Sequence, residues 1–172
     1  MEEIEVPLEH LHEEINEEVD ELYKKKEKWT LSVAISTALM AVFAAMAGLL
    51  AGHHSNEALI DQIKASDQWA YYQAKTIKAE IRALQPAGTF TNGKTAEQVK
   101  QEEEAIKKKA EEAEKSSEFH LLKHVRLARS VTLLQVSIAI SAISILTRKR
   151  FMWVLGMVTA LIGVAIFTAA VI

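Results

Sequence analysis

Three stretches of this chain carry no charged residue, and they limit what it can become more than any other feature. Residues 29–52, 130–147 and 151–172 contain no Asp, Glu, Lys, Arg or His. As a helix the first would be roughly 36 Å long, which exceeds the ~30 Å hydrocarbon core of a bilayer. A soluble core helix rarely runs that far without charge. The second, at about 18 residues, lies near the lower limit for a span, and the third, at about 22, clears it. The expected fold is therefore all-α: three transmembrane helices, a long extramembrane antiparallel coiled-coil hairpin between the first and second, and a short amphipathic helix at the N-terminus.

The rest of the chain is dense in charge. Residues 2–28 hold eleven acidic and four basic side chains, a net of -7 (4 - 11). Within them Leu8, Leu11, Ile15, Val19 and Leu22 recur at spacings of three and four, which predicts an amphipathic helix over 8–28 with one narrow apolar face. That face is either solvated or an oligomerisation or docking surface. Pro7 suits its first turn. There is no basic segment followed by an apolar core, so no cleavable leader is expected and the first span acts as its own insertion signal.

Residues 53–129 read as a helical hairpin. Ile60, Asp67, Ala74 and Ile81 repeat every seven residues, and Ile63, Ala70, Ile77 and Leu84 repeat with an offset of three. These are heptad a and d positions. Pro86-Ala87-Gly88 and Asn92-Gly93 predict a turn near 86–94, and Thr95 is a candidate N-cap. On the second arm Val99, Ile106, Ala113, His120 and Leu127 repeat every seven, with Glu103, Ala110, Ser117, His124 and Val131 offset by four. A seam rich in Ala and carrying Asp67 and Glu103 is close but weak, and neighbouring copies would help bury it. If Leu84 lies opposite Ala96, His124 faces Asn56.

Basic residues set the expected orientation. Lys24, Lys25, Lys26 and Lys28 precede the first span, and Arg148, Lys149 and Arg150 form a tight turn between the second and third. With three spans both groups share one side, which the positive-inside rule makes the cytoplasm. Trp29 and Trp153 fall at that interface. The hairpin and the C-terminus are then outside, in the periplasm of a bacterium with an inner membrane. Lys123, Arg126 and Arg129 oppose this, but long loops translocate largely regardless of charge.

Residues 51–58, AGHHSNEA, and 65–75, ASDQWAYYQAK, resemble a bacterial family called Domain of Unknown Function family 4337. The resemblance extends to the overall plan: an acidic His-bearing N-terminus, one span, a helical loop and two spans. It implies no catalytic residue, substrate or cofactor.

The histidines are the leading candidates for chemistry. His120 and His124 are four apart, so their imidazoles share a helix face in the manner of a Zn²⁺ or Cu²⁺ site. With His53 and Glu57 from the end of the first span they form a candidate metal set: His53, Glu57, His120, His124. The blander reading makes His120 and His124 seam residues paired with carboxylates. No other cofactor is implied. Asp67, Gln68, Trp69, Tyr71 and Tyr72 form a polar aromatic patch, either a partner surface or a local device that locks the register, with Asp67 on the seam. His10 and His12 read as solvated.

Several functions are disfavoured. The chain has no Cys, so it has no disulfide and no thiolate chemistry. A net charge of -3 and intrahelical pairing of residues 102–104 with 107–109 argue against nucleic acid. There is no nucleophile–base set and no phosphate loop, so no enzyme is expected. Gln135 and a stripe of Ser137, Ser141 and Ser144 mark the second span. Such a stripe serves helix–helix hydrogen bonding, or lines a pore made by several copies. Gly48 and Gly52 form a GxxxG pair that permits close helix approach. The expected function is structural: an interaction or scaffolding membrane protein that forms homo-oligomers and has an unknown protein partner. An oligomeric channel or transporter subunit and a periplasmic metal-binding or sensing module are the alternatives.

Overall fold

The computed structural model describes residues 8–84 and 96–172, with side chains from residue 15 and from residue 97. Three helices are present: α1, Leu8–Ala83; α2, Ala96–Thr147; and α3, Arg150–Val171. There is no strand among the described residues. Pro7, the turn at 86–94, Phe90 and Thr95 lie outside the described residues, as do the side chains of Leu8, His10, Leu11 and His12.

α1 runs unbroken for 76 residues. The expected N-terminal helix, first span and first arm are one element. The reason is compositional: the two prolines of the chain, Pro7 and Pro86, fall just beyond its ends, and no other residue forbids an intrahelical hydrogen bond. α2 likewise joins the second arm to the second apolar run. All three helices are long and apolar enough to cross a membrane.

The chain packs as two compact units. The first combines α1 up to Ala45 with Ser130–Ala165. Its core is Met40, Leu134 and Ala160, with Ala44, Ile138, Met157 and Val164 against them. α2 and α3 run antiparallel here. Ser130 donates its hydroxyl to the carbonyl of Gly163 at 2.8 Å, and Ser137 and Thr159 share a hydroxyl hydrogen bond of 2.8 Å. Small residues make this approach possible: a Cβ on Gly156 would lie 2.9 Å from the Ser141 Oγ. On the other side, the Trp153 indole N–H donates to the Ser36 hydroxyl at 3.1 Å. α2 ends at Arg148, whose φ of 54° is left-handed, the conformation that commonly terminates helices.

The second unit comprises Met46–Arg129 and Ile166–Ile172. In it the lower arm of α1 and the arm of α2 are antiparallel partners. The expected heptad on α2 is the buried one: Ile106, Ala110, Ser117 and Leu127 are all buried. On α1 the period is right and the phase is not. The buried or half-buried positions are Ala51, Ala58, Ala65, Tyr72 and Ala79, with His54, Asp61, Gln68, Lys75 and Arg82 at the offset of three. Ile60, Ile63, Ile77, Ile81 and Leu84, the expected seam, are exposed. Asp67 is also exposed. The physical reason is distance. Two helices approach closely only across small side chains, and a row of Ala offers that where a row of Ile does not. The Ala seam is buried within the chain, without a neighbouring copy.

Candidate functional site: the polar seam between the arms of α1 and α2

The seam alternates Ala with hydrogen-bonding residues, and His54, Asp61 and Lys75 reach across to α2. Nearest the first unit, the His124 Nδ1 lies 2.8 Å from the carbonyl of Ala51. A carbonyl only accepts, so Nδ1 carries the proton. One turn on, the Nδ1 atoms of His54 and His120 lie 2.9 Å apart. Next, Ser117 donates to the Ala58 carbonyl at 2.8 Å and lies 3.3 Å from the Gln62 Oε1. Asp61 then receives the Ser116 hydroxyl at 2.6 Å and the Lys64 ammonium at 2.9 Å. Farther out, Lys75 pairs with Glu102 across the arms. This order places His124 opposite Ala51 rather than Asn56, five residues (56 - 51) nearer the start of α1 than a symmetric turn would place it. The layers of Ala and polar pairs set the register.

His54, Asp61 and Lys75 titrate away from their ordinary values, and each shift has a visible cause. Burial pushes the His54 imidazole down, reinforced by His120, His53 and Lys123 and opposed by Glu57. The hydrogen bonds from Ser116 and Lys64 hold the Asp61 carboxyl down. The hydrogen bond to Glu102 raises the Lys75 ammonium. Asp61 is a buried carboxylate with both oxygens engaged, the usual condition for a charge to persist inside a seam.

Of the candidate metal residues, the structure joins His120 to His54, not to His53. The His53 ring stands beside His54, with centroids 5.4 Å apart. His124 is turned to Ala51, and Glu57 is half-buried. Among the described residues no group of three or more His, Cys, Asp or Glu converges in a way that could hold a metal ion. His54 belongs to the seam by position, and the signal for it was the Ala51, Ala58, Ala65 spacing, which places residue 54 at its offset of three.

The aromatic patch divides between two faces. Gln68 and Tyr72 turn toward the seam and are half-buried. Trp69 meets Tyr72 edge-on at 5.8 Å, and exposed Tyr71 lies under the Lys75 ammonium at 5.5 Å. Asp67 stands apart on the exposed face. Of the N-terminal apolar face, Ile15, Val19 and Leu22 are exposed. The serine stripe has an occupant already: Ser137, Ser141 and Ser144 are each 0% exposed, packed inside the first unit.

Three long helices, each apolar enough to cross a membrane, with polar antiparallel arms, define an all-helical fold compatible with a multi-pass membrane protein. The chain belongs to the family described as domain of unknown function (DUF4337), whose model matches residues 29–172. No curated protein and no solved structure matches the chain.

Proposed function

We infer that this protein is a non-catalytic, multi-pass scaffold of the bacterial inner membrane that self-associates along the outward face of α1. The observation that carries the reading is the stripe Ile60, Ile63, Ile77, Ile81 and Leu84, which is 45–87% exposed. These residues keep the seven-residue spacing of a helix seam, yet they face away from the Ala seam that α2 covers. At 100° per residue Gly48 and Gly52 fall on the same side, and a Cβ on either would meet nothing within 4 Å. A helix with this period and no partner fits another helix of the same period, and a second copy supplies one. In this reading the basic residues before Trp29 and at 148–150 hold the N-terminus in the cytoplasm, and the arms form a coiled hairpin in the periplasm.

A pore lined by the serine stripe would need those hydroxyls to face a lumen, whereas the three serines are buried inside the first unit of one chain. The test is the mass of the full chain in detergent and in lipid nanodiscs. Wild type should show more than one copy, and Ile63→Lys with Ile77→Lys should reduce it to one while helix content is retained. A monomeric wild type overturns the reading.

A further inference from the structure

We propose that the His54–His120 contact is a proton-sensitive latch that holds the arms of α1 and α2 together at neutral pH and releases them in mild acid. The argument is geometric. The two Nδ1 atoms lie 2.9 Å apart, and the ring centroids lie 5.1 Å apart. That is close to the widest separation such a nitrogen contact permits, so the rings meet head to head. One Nδ1 donates and the other accepts, which admits a single proton between them. A metal bound by both nitrogens would need the lone pairs to converge beside the contact, not to point at one another.

Full protonation of both rings places a hydrogen on each Nδ1. The hydrogen bond then becomes a contact of two cations. The surroundings do not neutralise this. From α1, His53 adds to the positive side, while Glu57 and Asp61 oppose it. Asp61 is already committed to Ser116 and Lys64. From α2 come Lys123, a further cation, and His124, bound to Ala51. Residues 166–172 of α3, in the same unit, carry no charged side chain. The downward shift of His54 means the folded state resists the proton. Its stabilising contribution is complete above the ordinary value of 6.5 and is lost as pH falls below it. The latch depends on residues inside one chain, and so stands or falls independently of self-association.

Backbone hydrogen exchange of the full chain in nanodiscs tests it, at about pH 7.5 and about pH 5, after correction for the intrinsic pH dependence. Residues 51–58 and 117–124 should exchange severalfold faster in acid than at neutral pH. His54→Gln with His120→Gln keeps an amide hydrogen bond and removes both charges, so its corrected exchange should be equal at the two values and slow at pH 7.5. His120→Gln alone, with one ring left, should show a reduced acid response. His53→Gln should respond like wild type. A wild type with no acid response, or a double variant that retains one, overturns the latch.

Discussion

Ser117 on α2 donates its hydroxyl to the carbonyl of Ala58 on α1 at 2.8 Å, and both residues are buried. The contact joins two kinds of closeness. Ala58 is small enough for the backbones to approach, and Ser117 is long enough to use the carbonyl once they have. Ser117→Ala should therefore cost about 0.5–1.5 kcal/mol, the value of one neutral hydrogen bond. Ser117→Leu should cost more, because the larger side chain must push α1 aside. Detergent-based unfolding of both variants, followed by circular dichroism, gives the order. Equal losses would mean that the hydroxyl, and not the spacing, dominates.

Glycines in this chain divide by face, which separates folding from assembly. A Cβ at Gly156 would stand 2.9 Å from the Ser141 Oγ and 3.2 Å from the backbone oxygen of Ser137. The backbone cannot give way cheaply, so Gly156→Ala should destabilise the first unit by about 1–3 kcal/mol. Gly48→Ala meets nothing and should raise helix stability by up to about 1 kcal/mol. Gly48→Leu with Gly52→Leu should likewise not lower the unfolding free energy, and should lower the copy number. Paired unfolding and mass measurements distinguish these cases.

Asp61 predicts an acid limit distinct from that of His54. Its folded carboxyl is held below 3.8, so its contribution is complete above that value and fades as pH falls through the depressed range. Asp61→Asn should flatten the stability profile below about pH 4, while the His54 transition, which lies below 6.5, survives. A thermal-unfolding series across pH, comparing this variant with His54→Gln, checks that the two steps are separable.

Arg148 is the only described residue besides glycine with positive φ, at 54°. An L side chain in that conformation costs about 1 kcal/mol relative to glycine. Arg148→Gly should gain about that much in unfolding free energy, and Arg148→Val should lose more, since branching at Cβ worsens the clash. The contrast is read by the same unfolding assay.

Element types and the α2 seam were legible because charge-free runs and a strong heptad admit few alternatives. Of the expected serine stripe, Ser137 shares a hydrogen bond with Thr159 across the helices, whereas Ser144 bonds the carbonyl of Ser141 within its own helix and the buried Ser141 hydroxyl has no hydrogen-bond partner among the described residues. What misled was size. Ile60, Ile63 and Ile77 look like core because large apolar groups usually are. The α1 seam instead runs through Ala51, Ala58 and Ala65, whose lack of bulk is the qualification. His54 and Asp61 were overlooked with it, since each takes its place from that phase. The register was set by partner pairs such as Asp61 with Ser116, which no count from the turn can supply.

The two faces of α1 carry a consequence for variation. The same seven-residue period appears twice on one rod, once through Ala51, Ala58 and Ala65 and once through Ile60, Ile63 and Ile77. A saturation scan of residues 48–84 should thus trace two interleaved ladders. One would tolerate only small or hydrogen-bonding replacements and fail as lost protein. The other would accept any bulky aliphatic and fail only as lost company.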